Sequence, residues 1–506
     1  MRLARTFPMT GPRAARSATA LAVLAAVGAC PANGARDAPD GGCVGAACAT
    51  ADARPPARIC DVRDFGAVGD GQTMDTLAIQ AAIDACATTG GTVSLHDGSF
   101  LSGTITLASD LTLDISPGTT LLGSQRIADY PDVDPPIQNT QLGNCRKALV
   151  YVEGADNVRI EGGGTIDGNA RGVPDWNGNR IKESLRPMAI FATISTRVTI
   201  QDLLVKDAAT WAVVTMEVDH QVIRDLTVDS NLGPTHDGID VVDGHDVLIE
   251  GCTVTSGDDS ICLKSGSAKG TEDVLVRNCH TRQSGVANGV KFGTASVGSF
   301  KNITVEDVVI ENAQAAAMAV ESVDGARISN VTFRRITTNN VGTPFFVLLG
   351  SRDRDPTRVG SIDGLAFEDI TGGNLRYAWG SIVTGTKIGT QTFGISNISF
   401  TDIDLVFKGA GSPANPTPFT DDNFPEYQGP VPGRPGTYYN RYPDAKFITG
   451  VDGREDTAYH GPGWALFLRH ATNVTFDRCR VTVSGADPRP WLDTKNTAAV
   501  TGTCGP

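Results

Sequence analysis

Two short segments concentrate carboxylates: Thr235-His236-Asp237-Gly238-Ile239-Asp240 and Ser256-Gly257-Asp258-Asp259-Ser260. Like charges held in one cleft raise at least one pKa, which supplies a protonated acid beside an ionised partner. Glycoside hydrolysis needs that pairing: one carboxylic acid protonates the leaving oxygen while a carboxylate activates water or attacks the sugar. Two plainer readings stand beside it. Asp-Gly and Gly-Asp are turn formers, and the chain has others, including Asp243-Gly244 and Asp324-Gly325. Clustered carboxylates also attract hard cations such as calcium.

The elements that would position these residues follow from a repeat. An apolar residue, two polar ones, an apolar one, a gap and another apolar residue recur as Ile200-Leu203-Val205, Ile223-Leu226-Val228, Ile249-Cys252-Val254, Val276-Cys279-Thr281 and Val305-Val308-Ile310. Phe333-Ile336, Phe367-Ile370, Phe400-Ile403-Leu405 and Phe476-Cys479-Val481 continue it. First members up to Phe400 lie 23 to 34 residues apart, a solenoid period. β-Branched residues alternating with polar ones, between Gly, Asn and Asp, make each unit a strand. One unit cannot bury its apolar side alone, but coils stacked about 4.8 Å apart can, so the expected fold is an all-β, single-stranded parallel β-helix. Cys252, Cys279 and Cys479 share one inward slot and are expected as stacked core thiols.

A second strand series, over 212–218, 238–242, 260–264, 289–294, 318–323 and 345–349, runs between these units. Strand parity that turns Ile261 and Leu263 inward sends Cys262 and Lys264 outward, and likewise Lys291 and Glu321. Those side chains are expected on one external face where a polysaccharide lies. Because the 21 residues from Asp237 to Asp258 make about one coil, the two aspartates should sit on adjacent rungs.

A net charge of −14 argues against nucleic acid or an anionic membrane as the main partner. Residues 1–30 read as a targeting segment: four arginines precede an apolar run too short to span a bilayer, ending at Val27-Gly28-Ala29-Cys30. Small residues before Cys30 resemble a bacterial lipobox, with Cys30 as the expected lipidation site of a cell-surface or periplasmic lipoprotein; ordinary signal-peptide cleavage nearby, giving a secreted protein, is the alternative, and both readings export the chain. Residues 31–57 read as a flexible linker and 58–506 as one catalytic domain, with an N-terminal cap at about 58–100. A loop excursion is expected at about 409–462. With Cys30 set aside, ten cysteines remain, an even number that an oxidising compartment allows to pair. A monomer is expected, with no cofactor and no metal.

At these residues the chain resembles the polygalacturonase family of glycoside hydrolases, family 28, whose fold is the right-handed parallel β-helix. The opening Asp64-Phe65-Gly66-Ala67-Val68-Gly69-Asp70-Gly71, then Asp75-Thr76 and 78–83, is similar to the family's N-terminal cap. Gly90-Gly91-Thr92-Val93, 163–168 and Arg186-Pro187 are further points of likeness. The family's Asn-Thr-Asp element matches as Thr235-His236-Asp237 and its Asp-Asp element as Asp258-Asp259. The resemblance implies that Asp258 is the general acid, that Asp237 and Asp259 hold and activate water, and that the anomeric centre inverts. The implied substrate is a pectic, galacturonate-containing polysaccharide or oligosaccharide.

Two family elements are absent. Gly-His-Gly is replaced by Ala287-Asn288-Gly289, so Asn288 stands for the histidine, and Arg-Ile-Lys by Ala319-Val320-Glu321. In the family the basic pair grips the substrate carboxylate, which a glutamate repels. Three explanations stay open: another sugar or linkage, positive charge from Lys264 and Lys291, or a glycan-binding surface protein without catalysis. Substrate contacts are expected from Lys264, Lys291, Asn288, His236 and Glu321, with His236 partly replacing the lost histidine, while Trp211 either stacks on sugar or packs at a coil end. A calcium-dependent polysaccharide lyase on the same fold is the rival reaction.

Overall fold

The computed structural model describes residues 58–173, 176, 182–352, 355–378, 380–410 and 462–505. The targeting segment, Cys30, the linker and nearly all of the expected excursion lie outside them. No helix among the described residues is long and apolar enough to cross a membrane.

The chain winds as a right-handed parallel β-helix. One coil shows the rule. Strand Ile239–Val242 is followed by a turn at Asp243-Gly244, strand His245–Glu250, a corner at Gly251-Cys252, strand Thr253–Ser256 and a second turn leading to Ile261–Ser265. Each strand pairs in parallel with its equivalent one coil on: Ile239 with Ile261, Val247 with Val274, Val254 with Thr281. Among the described residues, twelve strands of the first kind form one sheet and 23 others form a second that bends at the corner, while Thr386–Ile388 and Gln391–Phe393 make a separate antiparallel pair. Later coils lose the break, giving long strands such as Arg327–Asn339 and Ser361–Gly373.

Alternation puts the repeat's apolar members inside. Ile223, Ile249 and Val276 are fully buried, as are Val228 and Val254. At the corner, one residue per coil has a positive φ, and Asp225, Asn278, Asp307 and Asp369 take that place. Asp and Asn tolerate the left-handed region because their side chains bond locally, and Gly251 fills it with no Cβ at all. The second strand series forms as Val213–Met216, Ile239–Val242, Ile261–Ser265, Val290–Ser296, Ala316–Ser322 and Thr343–Leu349.

The N-terminal end is closed by helix Thr76–Ala87, which buries Ile79, Ala82, Ile83 and Cys86. Asp75, itself buried, accepts the backbone N–H groups of Val68 and Gly69 at 2.8 and 3.0 Å and so folds the opening segment back on the helix. A Cys60–Cys86 disulfide ties the helix to the first strand. At the far end, strand Leu466–Arg469 pairs with Ser381–Thr384, and Cys479 bonds Cys504. Cys479 thus departs from the expected stacked thiol, whereas Cys252 and Cys279 are free and buried.

Inside the later coils, phenylalanines at one register position stack ring on ring: Phe333 on Phe367 at 5.5 Å, Phe367 on Phe400 at 5.2 Å and Phe400 on Phe476 at 5.2 Å. Removing a ring from such a column leaves a cavity bounded by rigid rungs that cannot collapse into it. Phe367→Ala should therefore cost about 3–5 kcal/mol in urea unfolding. A loss below about 1 kcal/mol would show that the column is not what holds these coils.

Candidate active site

The outer face of the twelve-stranded sheet is divided. On its early rungs Tyr151, Phe191, Trp211 and Val214 form an apolar cluster covered by Val133 and Cys145; on its late rungs Ala319, Phe346 and Ile382 form another. Between them the outward positions are polar or charged: Asp240, Cys262, Lys264, Lys291 and Glu321. Parity places Lys264, Lys291 and Glu321 outside the coil as expected, but they are 5%, 2% and 0% exposed, so they are not an open charged surface. Lys264 lies under the Trp211 ring, its Nζ 4.3 Å from the centroid. Trp211 therefore covers this lysine and packs among the early rungs.

The two acidic segments occupy the same turn on successive coils. Gly238 N–H donates to the Asp259 carbonyl and Ile239 N–H to that of Ser260, both at 2.9 Å, while Gly257 N–H donates to the His236 carbonyl at 3.0 Å. A Cβ on Gly238 would lie 2.4 Å from Val254 and 2.5 Å from the Ser260 carbonyl, so the Asp-Gly step is required by close packing. Asp258 takes the Thr235 N–H on Oδ2 at 3.0 Å and the Asp259 N–H on Oδ1 at 3.1 Å. Arg186 holds the first turn from outside, donating to Thr235 Oγ1 at 2.6 Å and to the Ala209 carbonyl at 3.0 Å. Asp237, Asp258 and Asp259 are brought together in this way, each at most 4% exposed.

The lysines are bound to these aspartates. Lys264 Nζ donates to Asp237 Oδ2 at 2.8 Å and also to Asp240 Oδ1. Burial opposes the lysine's charge, but Asp237 and Asp240 together outweigh it and hold its pKa well above the usual value. One ammonium cannot neutralise two buried carboxylates. Burial accordingly pushes Asp237 well above the carboxylate range and Asp240 up to about 6, against the pull of Lys264 on both. Lys291 lies 3.3 Å from Asp259 Oδ2 and 3.9 Å from Glu321 Oε1.

Asn288 faces Asp259. Its backbone N–H and side-chain Nδ2 both donate to Asp259 Oδ1, at 3.1 and 2.8 Å, and its Oδ1 accepts the Ala316 N–H at 3.0 Å. Fully buried and engaged at both ends of its amide, Asn288 holds Asp259 in place. His236 is also buried, and its Nδ1 donates to the Gly233 and Pro234 carbonyls at 3.0 Å. Burial, then the nearby Arg186 charge, lowers its pKa and disfavours the charged form of the ring, which braces the turn.

Asp240 and Glu183 were not singled out by sequence reasoning. Asp240 has the outward parity of Lys291, a usable signal. Glu183, on the short turn Glu183–Leu185, is pushed up to about 7 by burial and interacts electrostatically with Lys264 and Asp258. No periodicity marks it. Asp237, Asp240 and Cys262 bring possible ligand atoms within 4.8 Å of one another. Lys264 already places a tethered positive charge between the two carboxylates, so this set does not suit an additional cation.

Loss of the Asn288 amide should leave Asp259 loosely held and the Ala316 N–H unpaired. Asn288→Ala should lower kcat by up to about 100-fold with KM little changed; a raised KM at constant kcat would make Asn288 a substrate contact instead. Asp240 supplies a stability test. Its folded pKa of about 6 exceeds the unfolded 3.8, so its contribution is lost as pH rises through that window, a cost on the order of 3 kcal/mol at neutral pH. Asp240→Asn should flatten the fall in unfolding free energy between pH 4.5 and 7, and an unchanged slope would place the proton elsewhere.

The family model for glycosyl hydrolases family 28 matches residues 89–415. A Vitis vinifera protein named "Probable polygalacturonase" is 28% identical over 344 residues, covering 62% of this chain and 69% of that one. An exo-poly-alpha-D-galacturonosidase of Dickeya chrysanthemi is 41% identical over 119 residues, 22% of this chain and 20% of that one. The solved family 28 exopolygalacturonase of Yersinia enterocolitica shares the fold, with a TM-score of 0.62, 17% identity, and 88% of this chain and 78% of that one covered. The matched span takes in both acidic turns, both buried lysines and Asn288, and the chain belongs to family 28 of the glycosyl hydrolases.

Proposed function

We propose that the protein hydrolyses glycosidic bonds in a galacturonate-containing pectic polysaccharide, with inversion, using Asp258 as general acid and Asp237 and Asp259 to hold and activate water. The observation that carries this reading is the convergence of the three carboxylates at equivalent turns of adjacent coils, each held by backbone N–H groups or a lysine. Polygalacturonase names on the relatives support the substrate class. Asp258 gives its proton to the leaving glycosidic oxygen. Water adds to the anomeric carbon from the opposite face, and its proton passes to Asp259, while Asp237 holds the water in place.

Lys264 and Lys291 hold carboxylates of this chain and so act on the water-activating aspartates rather than as free grips for a uronate. The charge that would greet a substrate carboxylate is thereby reduced, which favours branched or mixed pectic chains over plain polygalacturonate. Wild type and Asp258→Asn should be compared on a panel of both kinds of fragment. Wild type should release reducing ends without a new ultraviolet chromophore, and the variant should lose about 100- to 10,000-fold of that rate. Chelator-sensitive ultraviolet absorbance would establish a lyase, retention of glycan without release a binding protein, and equal turnover by both enzymes would remove Asp258 as the acid.

A further inference from the structure

Cys252 and Cys279 take no part in this machinery, yet their placement is chemically specific. Each follows the positive-φ corner residue of its coil, Gly251 or Asn278, and each opens the next strand. Glu250 pairs with Arg277 and Thr253 with His280, so the two cysteines occupy equivalent positions on adjacent coils, one above the other. Parallel neighbours about 4.8 Å apart fall inside the Cα separation that a disulfide spans.

The same corner is already cross-linked elsewhere. Cys479 follows Arg478, another positive-φ residue, opens strand Arg480–Ser484, and bonds Cys504 on the next turn of chain with a Cα separation of 4.4 Å. That bridge closes 25 residues and Cys60–Cys86 closes 26; Cys252 and Cys279 are 27 apart. Cys479–Cys504 and the Cys252–Cys279 pair thus each span about one coil, while Cys60–Cys86 ties the first strand to the capping helix.

We propose that Cys252 and Cys279 are a third cross-linking site, closing to a disulfide that joins the coil of Asp258 and Asp259 to the coil of Asn288 and Lys291. The oxidant is a small disulfide such as oxidised glutathione. One of the two thiolates attacks one of its sulfurs and expels a glutathione thiolate; the other cysteine then attacks the protein sulfur of the mixed disulfide, the protein S–S bond forms and the second glutathione leaves. Two protein thiols are oxidised, one glutathione disulfide is reduced to two thiols, and the protein's protons pass to those products. Both sulfurs are buried in the finished coil, so exchange belongs to the period when the coils are closing, as it must for the equally buried Cys60 and Cys86.

The full chain, refolded in a glutathione redox buffer, is alkylated and mapped as peptides without reduction. The result is scored once the Cys60–Cys86 and Cys479–Cys504 bridges have closed. A linked Cys252–Cys279 peptide is expected, and loss of thermal stability on reduction should be smaller in Cys252→Ala/Cys279→Ala than in wild type. Alkylated Cys252 and Cys279 beside the two closed bridges would overturn the proposal and leave a reduced core stack. So would linkage of either to Cys145 or Cys262. The wild-type map stands whether or not the double variant folds.

Discussion

Everything in this molecule rests on the parallel register between coils. Each backbone N–H that leaves one rung finds a carbonyl on the next, so residues about one coil apart in sequence are locked within a strand spacing of each other. This constraint accounts for the core, since an apolar residue repeated at the coil period meets its own equivalent, as Phe367 meets Phe400. It also accounts for the site, where Asp237 and Asp259 are joined through Gly238 N–H and the Asp259 carbonyl. Catalytic groups placed on turns of such a ladder are rigid without any dedicated scaffold.

Rigidity has an electrostatic cost, because the ladder forces like charges together and then buries them. Asp237, Asp240, Asp258 and Asp259 could not share adjacent rungs as bare anions. Lys264 and Lys291 lie on the same ladder and bring compensating charge at a fixed distance. Asn288 adds two uncharged donors to Asp259, supplying orientation without a further titrating group. A histidine in that place would gain or lose a proton near neutral pH; the amide does not.

The architecture was legible in the sequence because it depends on periodicity alone. Ile249-Cys252-Val254 and its repeats carry the coil length, and the spacing from Asp237 to Asp258 reads directly as adjacency. Parity correctly turned Lys264, Lys291 and Glu321 outward. Their burial was not legible, because it depends on what covers the sheet: Trp211 over Lys264, and the segment around Val133 and Cys145 that packs on the early rungs. Those covering residues follow no repeat. Glu183 escaped for the same reason, and Cys479 was misplaced among the stacked thiols because its partner, Cys504, lies beyond the last repeat.

The buried lysines also bear on how this site differs from the pattern it resembles. A basic residue can serve a substrate carboxylate only if its charge is not already spent, and Lys264 donates to two carboxylates at once. Removing it would strand both in a low-dielectric floor, so its pairing with Asp237 and Asp240 cannot be given up without leaving two buried carboxylates uncompensated. The replacement of Arg-Ile-Lys by Ala319-Val320-Glu321 reinforces this, since Glu321 places one more acid beside Lys291. Charge that the resemblance would direct toward a ligand is here bound to carboxylates of the chain itself.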